Sequence, residues 1–146
     1  MQKALVCSVC GYIHLTKDIP NDCPSCNSCS KIFKLFDEKE NVLHTKEDIA
    51  KTGESEKKHL PVIKITDIEN GYKNIFVSVG EIEHPMMKEH LIQKIYIYID
   101  KQLVSITSLS PNLKPETNIK IKTDGKEISV IEHCNIHGDW ITTQNI

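Results

Sequence analysis

The feature that most limits the fold of this chain is a pair of cysteine knuckles near its start. "CSVCGY" at 7–12 and "CPSC" at 23–26 place Cys7 and Cys10, then Cys23 and Cys26, with twelve residues between the pairs. Four thiolates at this spacing close a tetrahedron around one iron or zinc ion. Neither Cys-x2-Cys is followed by His, which excludes covalent haem attachment. Gly11 and Asn27 each follow the second cysteine of a knuckle, where a tight turn with positive φ is expected. Cys29 forms a further Cys-x2-Cys with Cys26, but four thiolates already complete the tetrahedron, so it reads as a bystander.

The start "MQKALVCSVC" carries no signal-peptide apolar region, so the expectation is a cytoplasmic chain with reduced, metal-binding thiols. A net charge of −2 gives no reason to expect nucleic acid or an anionic membrane as partner. Apolar runs such as "IYIYI" at 95–99 are far too short to span a bilayer.

Composition divides the 146 residues into three. Residues 1–36 read as a small rubredoxin-sized metal domain built on the four knuckle cysteines and ending in "KIFKLF". Residues 37–58, charge-rich and without aromatics, read as a linker. Within it "TKEDIAK" is expected to form one or two helical turns, with Thr45 as N-cap and Glu47 and Asp48 near the positive end of the dipole. Residues 59–146 read as a domain of short strands. In "KIYIYID" Ile95, Ile97 and Ile99 share one face and Tyr96 and Tyr98 the other. "NIKIKTDG" alternates Ile119 and Ile121 with lysines and ends at an Asp-Gly turn. "PVIKI", "YKNIFVSVG", "QLVSITSL" and "EISVIEH" follow the same rhythm, which predicts an all-β chain with an antiparallel β-sandwich.

A second constellation lies in this half. His59 precedes Pro61; "EHPMMKEH" holds His84 and His90; "HCNIHG" holds Cys134 and His137 on the loop leaving the last strand, which puts "GDWITTQN" beyond it. Each sits at a strand boundary, where loops at one end of a sandwich converge. Four imidazoles and a thiolate exceed the usual four ligands of zinc, whereas five mixed ligands with an open sixth position suit redox-active iron.

Two resemblances follow from these motifs. The segment with "VCSVCGYIH", "CPSC" and "KIFKLF" resembles the rubredoxin-like domain of rubrerythrins, which implies a one-electron iron centre; spacing alone leaves zinc open. "HLP", "EHPMMKEH" and "CNIHGDW", over roughly residues 45–142, resemble the superoxide reductase family of desulfoferrodoxins and neelaredoxins. That resemblance implies an immunoglobulin-like sandwich and a square-pyramidal iron, with His59, His84, His90 and His137 equatorial and Cys134 axial. It implies one-electron reduction of superoxide to hydrogen peroxide, a reduced rubredoxin or similar protein as electron donor, and a homo-oligomer, dimer or tetramer.

By the same resemblance Lys58 stands where the family has a lysine that draws the superoxide anion. The family's glutamate two residues before His59, a sixth ligand of the oxidised iron, is replaced by Lys57. Glu56, three before, is the candidate for that role if the loop adapts, but one residue reverses side-chain direction in an extended segment, so the oxidised site is expected to take solvent or an external anion instead. His14, His44 and His133 match no ligand position. Trp140 reads as a core plug or a shield over one face of the site. The competing reading is a non-catalytic electron carrier or zinc-ribbon module on an inert sandwich.

Overall fold

The computed structural model describes residues 4–28, 33–35, 43–52 and 57–146. Cys29 and Glu56 therefore lie outside the described residues. Three short strands, β1 (Leu5–Cys7), β2 (Ile13–His14) and β3 (Phe33–Leu35), form a small sheet in the order β2-β1-β3. It carries the knuckles, whose turns take the expected left-handed backbone at Gly11 (φ +80°) and Asn27 (φ +63°). There Gly11 N–H donates to Cys7 O and Asn27 N–H to Cys23 O.

The stretch read as a linker contributes structure of its own. β4 (Leu43–His44) is followed by helix α1 (Lys46–Thr52). Thr45 caps the helix as its sequence implies: its hydroxyl accepts from Glu47 N, while Asp48 Oδ2 accepts from Thr45 N at 2.7 Å, a reciprocal capping box.

The remaining strands are β5 (Pro61–Asp67), β6 (Tyr72–Val79), β7 (Ile92–Ile99), β8 (Gln102–Ser108), β9 (Glu116–Lys122), β10 (Glu127–Cys134) and β11 (Gly138–Asn145). They form two sheets, β5-β6-β9 and β4-β11-β10-β7-β8, antiparallel except where β4 joins β11 in parallel. Between them Ile75, Val77 and Val79 pack on Ile92, Ile95, Ile97, Ile128 and Val130. This is the predicted sandwich.

The outer face of the larger sheet is shielded from water at its centre. Tyr96 and Tyr98 are buried as deeply as the isoleucines opposite, because the small N-terminal sheet covers them. Tyr12 stacks on Tyr98 at 6.2 Å, and the Tyr98 hydroxyl donates to Ile13 O at 2.6 Å. One apolar cluster, with Tyr12, Ile13, Cys7 and Cys23 on one side and Tyr96, Tyr98, Ile131 and Leu43 on the other, joins the knuckles to the sandwich.

The reading of "GDWITTQN" as chain beyond the last strand is corrected. It is β11, paired with β10 from Glu127↔Asn145 to Cys134↔Gly138. "CNIHG" is therefore the tip of a β-hairpin, closed by Gly138 in the left-handed region (φ +79°).

Candidate metal centres

The four knuckle cysteines converge. Cys7 Sγ lies 3.7 Å from Cys26 Sγ, and Cys10 Sγ 3.7 Å from Cys23 Sγ. A tetrahedron with metal–sulfur bonds of about 2.3 Å has edges of about 3.8 Å, so the separations fit a tetrathiolate ion. Ser25 and Cys26 direct their backbone N–H groups at Cys23 Sγ. Burial raises the Cys10 thiol and pushes Cys23 up to about 12, while the Ser28 hydroxyl beside Cys26 brings it down to about 6. An entering cation thus displaces protons from buried thiols.

At one end of the sandwich the second group assembles. His59, His84, His90, Cys134 and His137 bring one donor atom each to within 4.8 Å of all the others. The imidazole centroids trace a near-square: His59–His84 4.7 Å, His84–His90 4.6 Å, His90–His137 4.9 Å and His137–His59 4.7 Å, with a His59–His90 diagonal of 6.4 Å. Cys134 Sγ stands 3.6 Å from His84 Nε2 and 3.8 Å from His137 Nδ1. The sulfur is fully buried whereas His137 is exposed, so the thiolate marks the inner side and solvent reaches the outer one.

Local structure explains each placement. His84 follows the turn after β6, its N–H donating to Val79 O, and its Nδ1 meets Pro85 O at 2.7 Å. That contact puts the proton on Nδ1 and leaves the Nε2 lone pair for a cation. His90 sits in a tight bridge with Met87, each N–H donating to the other's carbonyl. Asn135 stitches this loop to the hairpin tip: its Oδ1 accepts from Leu91 N and its Nδ2 donates to Glu89 O. The backbone N–H of His137 points at Cys134 Sγ. Strand alternation puts Cys134 on the core face of β10 with Val130, at the point where the pairing with β7 shifts register. His133 faces the other way and bonds Asp139 at 2.9 Å, as strand alternation requires.

Burial, followed by the neighbouring imidazoles, lowers His59 to about 3; burial also lowers His84 to about 4 and His90 below its usual range. The rings are neutral near pH 7, the form that binds metal. His90 Nε2 is buried with no hydrogen-bond partner among the described residues, which suits a nitrogen awaiting a cation.

Other singled-out residues fall as follows. Lys57 and Lys58, half-buried, form a turn against Gly80, with Glu81 N–H donating to Lys57 O. After burial and the neighbouring imidazoles, the Lys58 charge also helps to lower His84 and His90. His14 is held by Tyr12 and Thr16 in the small sheet. Trp140 is no plain core plug: buried, it stacks on His59 at 5.1 Å and 14°, and its Nε1 donates to His137 O.

Glu132 escaped sequence reasoning. It is fully buried, with Oε1 3.4 Å from His59 Nδ1. A signal was present, since Val130, Glu132 and Cys134 alternate on one strand face and an acid on a core face needs a reason.

Residues 51–143 match the desulfoferrodoxin family model, and residues 6–34 match that of the rubrerythrin rubredoxin-like domain. A desulfoferrodoxin of Desulfarculus baarsii is 34% identical over 92% of this chain and 90% of its own length. One from Clostridium acetobutylicum is 37% identical over 61% of this chain and 64% of its own. The solved structure titled superoxide reductase from Nanoarchaeum equitans superposes with a TM-score of 0.59, covering 72% of this chain and all of that one; at 24% identity it speaks for the fold alone.

Proposed function

We propose that this chain, which belongs to the desulfoferrodoxin family, reduces superoxide by one electron to hydrogen peroxide at the four-histidine, one-cysteine centre. The observation that carries the reading is the square of imidazoles with Cys134 beneath it and solvent on the far side. The donor set fits a mononuclear iron, and the four cysteines fit iron or zinc. Iron held by the four histidines and Cys134 would supply the electron, and the thiolate would raise the electron density on it.

The ligands in this reading are His59, His84, His90, Cys134 and His137, with Cys7, Cys10, Cys23 and Cys26 at the other centre. Pro85 O orients His84, the Trp140 ring stacks on His59 and Asn135 joins the two outer loops, with Glu132 Oε1 beside the His59 edge. Lys58 at the rim attracts the superoxide anion; at a Debye length of about 8 Å only such nearby charges steer it. The reaction consumes one electron, restored by the external reductant, and two protons per superoxide, and the exposed edge at His137 admits the water that delivers the protons. Glu56 need not take part in this reading: the five ligands would leave the solvent side of the centre open to substrate, and solvent or an external anion would occupy it after oxidation.

The reading keeps a four-cysteine unit over 1–36 and a catalytic unit over 59–146, with 37–58 connecting them. An external reductant of the rubredoxin type restores the reduced state, and the chain works as a dimer or tetramer in the cytoplasm. No helix among the described residues is long and apolar enough to cross a membrane.

The test is stoichiometric. With a reductant supplied, each superoxide consumed yields one hydrogen peroxide and no dioxygen. Dioxygen at half that amount would mean dismutation, and no consumption would leave the electron-carrier or zinc-ribbon reading.

A further inference from the structure

Trp140 is stacked with two imidazoles at once. Its ring lies 5.1 Å from His59 at 14°, and 4.6 Å from His44 at 28°. The register explains the arrangement. On β11 Trp140 pairs with Glu132 of β10 on one side and with His44 of β4 on the other. Glu132 in turn reaches the Nδ1 edge of His59. The His59 ring thus has a carboxylate 3.4 Å from its edge and an indole stacked on its face, and His44 backs that indole.

β4 is the edge strand of its sheet, and the His44 side chain is about a third exposed, at 31%. Trp140 beneath is only 3% exposed. Its Nε1 bond to His137 O tethers it to a second residue of the square. Asp48, which closes the helix cap with Thr45, lies 3.9 Å from His44 Nδ1 and so ties α1 to the same stack. His44 precedes the stretch 51–143 that matches the family model and comes from the segment connecting the two metal centres.

We propose that His44 is a positioning residue of the four-histidine, one-cysteine centre. Through Trp140 it fixes the plane of His59, so that the connecting segment, not the sandwich alone, sets the geometry of the square. The proposal rests on the metal-centre reading of those five residues. Residues that orient a ligand from behind typically change metal affinity by about 10–100-fold when removed. Packing of a parallel ring, rather than any charge, carries the effect, so an aromatic replacement serves and an aliphatic one does not.

Trp140 is the sole tryptophan, so its emission reports the stack directly. The experiment uses full-length, metal-free protein titrated with Co2+, with quenching of Trp140 emission reporting binding at the adjacent square. His44→Ala is expected to shift emission to longer wavelength and to weaken Co2+ binding by about tenfold or more. His44→Phe is expected to restore both. If His44→Ala does not fold, His44→Leu, which covers the indole without a ring plane, takes its place with the same expectation. Wild-type Co2+ affinity in a variant whose emission has shifted overturns the proposal, as does His44→Phe binding no better than His44→Ala. No Co2+ quenching in the wild type would instead remove the metal-centre reading, and the proposal with it.

Discussion

Glu132 Oε1 lies 3.4 Å from Nδ1 of His59, and the carboxylate is wholly shut off from solvent. Burial first, then the charges of Cys134 and Asp139, raises its pKa far above the ordinary carboxylate range. A cation on the other nitrogen of His59 makes Nδ1–H a stronger donor and favours the ionised acid. Glu132→Gln keeps the shape and removes the charge. It is expected to speed metal loss to a chelator by about tenfold or more while leaving the four-cysteine centre loaded. Equal retention in variant and wild type would make Glu132 a packing residue.

A glycine sets the position of the rim lysine. A Cβ at Gly80 would overlap the carbonyls of Lys57 and Lys58, so Gly80→Ala must push that turn, and His59 after it, off the sandwich. Lys58→Ala is expected to slow superoxide capture and flatten its dependence on ionic strength without altering the oxidised absorption spectrum. Gly80→Ala should slow capture and perturb the spectrum as well. Stopped-flow rates across a salt series separate the two; an unchanged salt slope in Lys58→Ala would remove Lys58 from the capture step.

Acid should destabilise the metal-free protein. His59 and His84 stand at about 3 and about 4, against 6.5 for an unperturbed histidine. Below 6.5 the unfolded chain takes up protons that the folded chain refuses, so stability falls as pH drops towards 4 and is flat above. Glu132 acts in the opposite sense: its raised pKa gives stability below about 4.5 that is lost as pH rises. Two histidines outweigh one carboxyl, and Glu132→Gln should steepen the acid loss. Urea midpoints from pH 7.5 to 4.5 check both signs. A midpoint that does not fall below pH 6.5 would contradict the burial argument.

The Tyr98 hydroxyl is the buried bond between the sandwich and the knuckle sheet, to Ile13 O. Tyr98→Phe deletes that donor within an apolar cluster and should cost about 1–3 kcal/mol. For a chain of this size that lowers the thermal midpoint by about 2–4 °C per kcal/mol. An unchanged midpoint would mean the two sheets are held by the apolar contacts alone.

Much of this was legible in the residues. Period-two alternation exposes a strand through burial on one face, and Cys-x2-Cys fixes a knuckle through ligand geometry. β11 was lost because "GDW" opens like a turn and its outer half carries Thr and Gln rather than an apolar stripe. Tyr96 and Tyr98 show as a second strand face, but what covers that face is a tertiary fact that no local pattern carries. His44 looked idle for the same reason. Its role depends on β4 joining β11 in parallel, a pairing two residues long.

The most direct measurement is the absorption spectrum, with metal content, of wild-type protein and Cys134→Ser purified without added metal. Iron is expected in the wild type and, on oxidation, a long-wavelength thiolate-to-iron band that Cys134→Ser lacks while its tetrathiolate bands persist. A wild type holding only zinc and gaining no such band after iron reconstitution, or a band that survives in Cys134→Ser, would contradict it.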